Sequence, residues 1–484
     1  MWKNQQRTLS PDNNQLIQSL VITSDPQYPW TDCTDCKRQD GGICTSCLNR
    51  FGCKSGVPPC SDPNCLESDG TKKNRSTNLI KEQYDNINSY TDKVTNAAVI
   101  INGDMTAYGH AWQWSEIQRL LRMLKRRYYY GLGNHDIENN KNDCSLDGCF
   151  RNSMRYFIKH VEDNKIPSSD RDYILSSATG GGRHTGSFAY VVNFGTICSI
   201  QLNYYPTMVT ESSVSLSDNY TIRPNIDWLK NKLAMAKSMG QIILVHVHQV
   251  DKLTGEYINL FKTYGVAAIF GGHYHQEAGY KGSTNGIPTF LSGSASQKTY
   301  LILEQFSDRL DIYTVKCNDW QNNKSKALTI SINQPIFSGV YQIITALNNS
   351  SVIDRSPTKC NPVGDCNVHL WPNNNTANQK WRFEFDSSKQ AYRIYNQQIS
   401  GYVLAWNTEN RDVFVTKFIQ SYDEHYWILE PSSNGYIFKN KKNSSLVLDV
   451  ANAQTKDGTN IGVHEKHSPS SPYIKAQEFK LRKL

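Results

Sequence analysis

The stretch AAVIINGD, residues 97–104, decides the fold because an apolar run ends abruptly in a glycine and an acid. Short apolar runs rich in Val and Ile are typical of strands buried on both faces. Gly103 allows the backbone to turn tightly after the strand. Asp104 would then lie at the carboxyl end of the strand, which is where open α/β sheets bind ligands.

Four other apolar runs end in the same way. They are SLVIT before Ser24-Asp25-Pro26-Gln27, RRYYYGL before Gly133-Asn134-His135-Asp136, QIILV before His246-Val247-His248, and GVAAIF before Gly271-Gly272-His273-Tyr274-His275. Helical patterns such as WSEIQRLLRMLKRR separate the runs, which predicts a layered α/β domain. One polar residue at a strand end is an ordinary turn, whereas five such ends in one domain indicate a metal centre.

This ordered set of motifs resembles the calcineurin-like metallophosphoesterase superfamily. That family carries Asp-x-His, Gly-Asp, Gly-Asn-His-Asp/Glu, a single His and Gly-His-x-His, each after a strand. The resemblance implies a β-sandwich flanked by helices over residues 1–317. It also implies two divalent ions whose bound hydroxide attacks phosphorus in line, with a phosphate ester as substrate.

Carried over position by position, the resemblance assigns two ligand sets that share Asp104. The first metal would be held by Asp25, Gln27, Asp104 and His275, and the second by Asp104, Asn134, His246 and His273. His135 would be the catalytic histidine, oriented by Asp136 through its other ring nitrogen. His246 is preferred to His248 because it follows the strand directly. The two would share a face of that strand, so a substrate-side role for His248 stays open.

Gln27 departs from the family pattern, which usually has His at this place. A neutral amide oxygen is a poorer ligand than imidazole for Zn and suits harder ions such as Mn, Mg or Fe(II). The sequence therefore leaves the metal open among Mn, Fe, Zn and Mg.

The chain has 13 Cys, and seven of them lie in an insert at residues 33–65. CTDC and CTSC suggest a zinc knuckle, but only eight positions separate Cys36 from Cys44, against the usual ~15–20 residues. Disulfides are therefore favoured over zinc, which indicates an oxidising, secreted or extracytoplasmic location. The insert is expected to lie near the metal site and to restrict substrate access. Cys144 and Cys149 are predicted to form a local disulfide, and Cys198 to be a core residue.

No signal peptide is visible in MWKNQQRTLSPDNNQ, and no apolar stretch is long enough to predict a transmembrane segment. The net charge is +8, from 52 basic and 44 acidic residues, without a basic tract. There is thus no specific nucleic-acid signal.

After Cys317 the helical periodicity disappears, so residues 318–335 are predicted to be a linker and 336–484 an all-β domain. A tripeptide motif recurs three times in this domain. Its copies are Gln379-Lys380-Trp381, His425-Tyr426-Trp427 and Gln477-Glu478-Phe479, which lie 46 and 52 positions apart. Three β-repeats of this length are expected to close on one another. The pattern resembles the ricin B-type β-trefoil lectin family, whose repeats carry Gln-x-Trp.

The lectin resemblance implies glycan partners. The first repeat would bind sugar through Asp354, Trp371, Asn378 and Gln379. The second repeat has Ala405 and Lys417 at the corresponding places and is expected to be inactive. The third retains Asp449 as a candidate, with His464 where an aromatic residue is expected. Cys360 and Cys366 are predicted to pair.

The predicted function is therefore a secreted two-metal phosphoesterase, acting on a phosphomonoester or phosphodiester and directed to glycans by a lectin module. An enzyme toxin would reconcile both domains. Two alternatives stay open: a nuclease, and a carbohydrate-binding toxin or adhesin whose phosphoesterase domain is degenerate, which Gln27 favours.

Overall fold

The computed structural model describes residues 16–36, 53, 56–58, 60, 66–138, 141, 143–178, 181–212, 214, 217–306, 308–332, 337, 339–386, 389, 391–432, 434–468 and 471–484. The chain divides into two compact units, one within residues 14–333 and the other around residues 334–484. Among the described residues, no helix is both long enough and apolar enough to span a membrane.

The first unit mixes strands and helices. Its strands in chain order are β1 (Gln18–Thr23), β2 (Ala97–Ile101), β3 (Tyr128–Tyr130), β4 (Arg171–Ala178), β5 (Gly181–Phe194), β6 (Ile197–Gln201), β7 (Thr210–Ser212), β8 (Asn219–Ile222), β9 (Ile242–His246), β10 (Val266–Gly271), β11 (Ala278–Thr284), β12 (Ile287–Ser292), β13 (Tyr300–Gln305), β14 (Arg309–Val315) and β15 (Lys324–Ser331). Its helices are α1 (Asp32–Asp35), α2 (Asp69–Thr91), α3 (Ala111–Leu121), α4 (Gly148–Asp163), α5 (Ile226–Ser238) and α6 (Gly255–Tyr264).

The strands form two sheets that place the five predicted strand ends. One sheet has the order β15-β14-β13-β1-β2-β3, in which β1, β2 and β3 run parallel. The other has the order β11-β12-β10-β9-β6-β5-β8-β7, with β4 beside β5 and with β6, β9, β10 and β12 parallel. The carboxyl ends of β1, β2 and β3 thus share one edge, and those of β9 and β10 share another.

One hydrophobic core joins the two sheets, which confirms the predicted sandwich. It contains Val21 of β1 and Val99 of β2 together with Leu244 of β9 and Phe270 of β10. Helices α2, α3 and α4 contribute to the same core. A second core lies between the β9-containing sheet and helices α5 and α6, and it includes the predicted core residue Cys198.

The segment expected to be a linker at 318–335 is in part a strand. Lys324–Ser331 pairs antiparallel with Arg309–Val315 along its whole length. Its sequence KSKALTIS is polar because β15 is the edge strand of its sheet. The first unit therefore extends to about residue 333.

Disulfides tie the cysteine-rich insert to the first unit. Cys33 pairs with Cys60, and Cys53 pairs with Cys317. The disulfide prediction is confirmed for these insert cysteines, and also for Cys144–Cys149 and Cys360–Cys366. Cys44, Cys47 and Cys65 lie outside the described residues.

The second unit is an all-β trefoil. Its strands are β16 (Gly339–Thr345), β17 (Val352–Cys360), β18 (Cys366–Trp371), β19 (Trp381–Asp386), β20 (Ala391–Asn396), β21 (Tyr402–Trp406), β22 (Val413–Lys417), β23 (Trp427–Ser432), β24 (Gly435–Asn440), β25 (Leu446–Val450), β26 (Ile461–Glu465) and β27 (Phe479–Lys483). The repeat motif supplies the core: Trp381, Trp427 and Phe479 are fully buried. The indole of Trp381 donates to the Ile353 carbonyl over 3.0 Å, and that of Trp427 donates to the Leu404 carbonyl over 2.8 Å.

Candidate metal centre and sugar site

Two groups of potential metal ligands meet at the strand ends of the first unit, and they share one residue. Asp25, Asp104 and His275 form the first group, and Asp104, His248 and His273 form the second. Within each group the ligand atoms lie within 4.8 Å of one another. Asp104 is 1% exposed and follows β2, between the loops that follow β1 and β3.

The second group is organised around the amide oxygen of Asn134. The Nε2 atom of His248 lies 3.0 Å from Asn134 Oδ1 and 3.1 Å from Asp104 Oδ2. The Nδ1 atom of His273 lies 2.9 Å from the same Asn134 oxygen. Two imidazole nitrogens, one amide oxygen and one carboxylate oxygen therefore lie close together, and this donor set suits a divalent transition metal.

The first group leaves buried polar atoms without partners. His275 Nε2 lies 3.2 Å from Asp25 Oδ1, but that oxygen has no hydrogen bond among the described residues. Both amide atoms of the fully buried Gln27 are likewise without a hydrogen-bond partner in the described part of the chain. A buried polar atom without a partner costs about 1–3 kcal/mol, and a bound cation would remove that cost for the oxygens. The residues present therefore fit divalent ions.

The loops that carry these ligands adopt left-handed backbone conformations. Asp25, Gln27, Asp104 and His273 have φ values of 51°, 38°, 51° and 70°. Such conformations cost about 1–3 kcal/mol each for residues with a side chain, and they cluster at functional sites. The loop after β3 also approaches Asp104 closely at Gly133, because a Cβ atom there would lie 2.1 Å from Asp104 Oδ1.

The structure does not bring His246, the expected ligand, into either group of potential ligands, and His248 lies in the second group instead. His246 ends β9 and stays in the core, where it stacks on Phe270 and its Nδ1 lies 3.1 Å from Asn102 Oδ1. His248 lies two residues beyond the strand. Its Nδ1–H donates to the Asn102 carbonyl over 2.6 Å, which leaves Nε2 for the centre.

Asp136 does not orient His135, contrary to the expectation. The fully buried carboxylate of Asp136 accepts backbone N–H groups of Met105, Thr106 and Gly133 at 3.0–3.3 Å. It therefore holds the loops after β2 and β3 together. The Nδ1–H of His135 donates to the Ala107 carbonyl over 2.7 Å instead.

Asp35, which the sequence did not single out, holds His275. It lies in α1 of the cysteine-rich insert, and its Oδ1 is 2.6 Å from His275 Nδ1. Trp30 Nε1 and Gln297 Nε2 also donate to the Asp35 carboxylate, over 2.6 and 2.7 Å. A carboxylate on the far ring nitrogen is the common way to orient a metal-binding histidine. The insert thus contacts the site, as expected.

The carboxylates of the centre stabilise positive charge beside them. Burial alone lowers the pKa of His248, but Asp104 and Asp25 outweigh burial and raise that pKa to about 9. Burial also opposes a charged His275, yet Asp35 and Asp25 raise its pKa well above the ordinary value. Asp136 differs, because burial and the nearby Asp104 raise its pKa to about 7. The carboxylates that raise the pKa values of His248 and His275 would likewise favour a bound cation.

The predicted sugar residues of the first trefoil repeat also come together. The Asp354 carboxylate accepts hydrogen bonds from Asn378 Nδ2 over 2.6 Å and from Gln379 Nε2 over 2.8 Å. Trp371 stacks on His369 and keeps 38% of its surface exposed. A fixed carboxylate beside an exposed indole can hold hydroxyl groups while the ring packs on the apolar face of a sugar.

In the third repeat, Asp449 occupies the place of Asp354. Its carboxylate accepts a hydrogen bond from Gln477 Nε2 over 3.0 Å. His464, His467 and Asp449 form a further group of potential ligands within 4.8 Å of one another. No exposed indole accompanies Asp449 among the described residues of this repeat.

Comparison with known proteins places part of the chain in a described family. The family model "Calcineurin-like phosphoesterase" matches residues 21–277. Among similar curated proteins, pierisin from Pieris brassicae is 28% identical over 143 residues, which is 28% of this chain and 16% of pierisin. The main hemagglutinin component type C from Clostridium botulinum C phage is 33% identical over 111 residues, which is 22% of this chain and 36% of that protein. The chain therefore spans well under half the length of either relative.

A solved structure of a mosquitocidal holotoxin matches with 26% identity and a TM-score of 0.28. The match covers 34% of this chain and 20% of the holotoxin chain.

Replacing His246 and His248 separately distinguishes a ligand from a core residue. His248→Leu is expected to lower the affinity for Mn²⁺ or Zn²⁺ at least about tenfold, because the second group loses an imidazole. His246→Leu is expected to retain the metal, because that ring lies outside both groups. Metal per folded protein after dialysis, measured by mass spectrometry, checks this, and the opposite ranking of the two variants would restore His246 as the ligand.

Asp35→Asn tests whether the insert supports the metal centre. The amide keeps the shape but removes the charge facing His275, so metal affinity is expected to fall about 10–100-fold. Titration calorimetry with Mn²⁺ measures the change. Asp32→Asn is the matched control: it lies in the same helix and pairs with Arg75, so it disturbs the insert away from His275. Equal affinity loss in both variants would mean that the insert acts only through its folding.

Proposed function

The chain belongs to the calcineurin-like phosphoesterase family, and from this premise we propose that it hydrolyses a phosphate ester at a centre for two divalent cations. The main support for the proposal is that Asp104 belongs to both of the adjacent ligand groups. When bound, the cations supply Lewis-acid activation of the phosphoryl group and of water.

The two ligand groups and the family resemblance support the following proposed ligands. Asp25, Gln27, Asp104 and His275 would hold one cation, and Asp104, Asn134, His248 and His273 the other. The amide oxygen of Gln27 favours Mn²⁺, Fe²⁺ or Mg²⁺ over Zn²⁺ in the first position. Its buried amide oxygen has no hydrogen-bond partner among the described residues, and a bound cation would supply one, which supports a retained metal site.

His135 is proposed to act on the leaving oxygen. The ring is partly exposed, and its backbone N–H donates to Asp104 Oδ1 over 2.8 Å, which fixes the residue beside the shared ligand. Because Nδ1–H donates to the Ala107 carbonyl, Nε2 is the nitrogen directed away from the main chain. A proton carried at Nε2 would pass to the oxygen of the departing alcohol as the bond to phosphorus breaks.

Trp30 links this histidine to the ligands. Its ring meets His135 edge-on at 5.2 Å and His275 edge-on at 5.8 Å between ring centroids. The indole N–H is held by Asp35, so the ring has a fixed orientation. Trp30 would therefore hold the proposed proton donor His135 and the proposed ligand His275 in a fixed position relative to each other.

The trefoil unit is proposed to bind glycans through its first repeat. Two amide groups and a carboxylate are already hydrogen-bonded to one another beside an exposed indole. Because these side chains are already held in place, sugar binding would cost little conformational entropy. The 33% identity with a protein named as a hemagglutinin component supports this half of the proposal. The disulfides of both units favour an extracytoplasmic location.

Turnover by the metal-stripped protein, re-supplied with Mn²⁺, Zn²⁺, Fe²⁺ or Mg²⁺, tests the enzyme proposal. The substrates are p-nitrophenyl phosphate and bis(p-nitrophenyl) phosphate, whose ratio separates monoesterase from diesterase. His135→Ala is expected to lower kcat about 10²–10⁴-fold while metal content stays the same, because the residue moves a proton and binds no metal. Absence of metal-dependent turnover with any of the four ions would reject the proposal in favour of a binding protein.

Trp371→Ala tests the glycan site. Loss of the stacking indole is expected to weaken sugar binding about tenfold, which corresponds to roughly 1.4 kcal/mol. A glycan array identifies the sugar, and titration calorimetry measures its affinity. Trp406→Ala is the matched control, because this indole of the second repeat donates to the Asn410 carbonyl and Ala405 occupies the place that corresponds to Asp354 in that repeat. Equal affinity of wild type and Trp371→Ala would exclude the first repeat as the sugar site.

A further inference from the structure

The third trefoil repeat carries a cluster that neither the phosphoesterase nor the lectin proposal uses. Asp449 lies in β25, His464 lies in the neighbouring antiparallel strand β26, and His467 follows that strand. One ligand atom from each lies within 4.8 Å of the other two. The two imidazole rings are 5.1 Å apart between centroids.

Hydrogen bonds of the Gln477 side chain position this cluster. The Gln477 side chain donates from Nε2 to Asp449 Oδ2 over 3.0 Å, and its Oε1 accepts the backbone N–H of His467 over 2.8 Å. The Nδ1 atom of His464 lies 3.0 Å from the carbonyl oxygen of Glu465, so Nδ1–H donates there and Nε2 keeps its lone pair. A backbone carbonyl on one ring nitrogen is the arrangement that frees the other for a metal.

The first repeat shows why the third is suited to a cation. There, both oxygens of the equivalent carboxylate, Asp354, are taken by the amides of Asn378 and Gln379. In the third repeat the place of Asn378 is occupied by Ala476, so Gln477 is the only amide that reaches Asp449 among the described residues. The carboxylate consequently keeps an oxygen for another ligand.

The lysine nearest to the two histidines in sequence is paired elsewhere. Lys466, which separates the two histidines, forms an ion pair with Glu430 instead. His464 is half exposed at its side chain, so an ion from solvent can reach it.

We propose that Asp449, His464 and His467 bind one divalent transition-metal ion of the Zn²⁺ class. Two imidazoles and one carboxylate are preferred ligands of Zn²⁺, Co²⁺ and Ni²⁺, whereas Ca²⁺ and Mg²⁺ prefer oxygen ligands throughout. Three protein ligands leave a coordination position for water or for an oxygen or nitrogen of a partner. The third repeat is then a metal site at the place where the first repeat is built for sugar, and Asp449 is a metal ligand there rather than a sugar ligand.

Zinc stoichiometry of the full-length, disulfide-intact protein tests this inference. The protein is stripped with a chelator, dialysed against buffered Zn²⁺ and analysed by mass spectrometry for metal per chain. The double variant His464→Ala/His467→Ala is expected to bind one Zn²⁺ fewer than wild type. Asp449→Asn keeps the side-chain shape and the acceptor for Gln477, and it is expected to lower the affinity of the same equivalent at least about tenfold.

Two control variants make the outcome specific. Lys466→Ala lies between the two histidines and is expected to keep the wild-type stoichiometry. Asp104→Ala removes the shared ligand of the first unit and is expected to retain the Zn²⁺ ion bound by the third trefoil repeat. This expectation does not depend on whether the chain hydrolyses phosphate esters. The inference is overturned if the double variant binds as much Zn²⁺ as wild type, or if Asp104→Ala abolishes all Zn²⁺ binding.

Discussion

The carboxylate of Asp104 is the constraint on which the first unit depends. Both ligand groups include it, so the strands that supply their other members must end within a few ångströms of one point. Those strands belong to two sheets, and the core shared by the sheets fixes how their ends meet. The left-handed backbone at Asp104 and the close approach of Gly133 follow from the same requirement, because two loops and a shared side chain occupy one small volume.

Much of this arrangement could be predicted from the sequence, because buried parallel strands produce continuous apolar runs whose ends are marked by glycine and polar residues. The choice between His246 and His248 could not. Both residues follow the same apolar run, and only the turn beyond β9 decides which ring leaves the core. The function of Asp136 was missed for a different reason: its partners are backbone N–H groups, which every residue has and which no sequence pattern marks.

Long-range contacts account for the remaining differences. Asp35 meets His275 across 240 positions, so no local spacing could reveal the pair. The strand at Lys324–Ser331 has the polar composition of a linker, and its pairing with β14 is what orders it. In the trefoil, the Gln-x-Trp motif predicted the core correctly, because its tryptophans are buried in the first two repeats. The carboxylate environments of the repeats differ instead through substitutions such as Ala476, which lacks the amide through which Asn378 donates to Asp354 in the first repeat.

The Cys53–Cys317 bridge gives the first unit an unusual topology. It joins positions 264 residues apart, and every residue of both ligand groups except Asp25 lies inside the covalent ring that it closes. A single peptide-bond cleavage anywhere in that ring would open it into a linear chain but release no fragment. A protease could therefore cut the first unit within that ring without releasing the trefoil unit. Only a reducing compartment would allow the pieces to part.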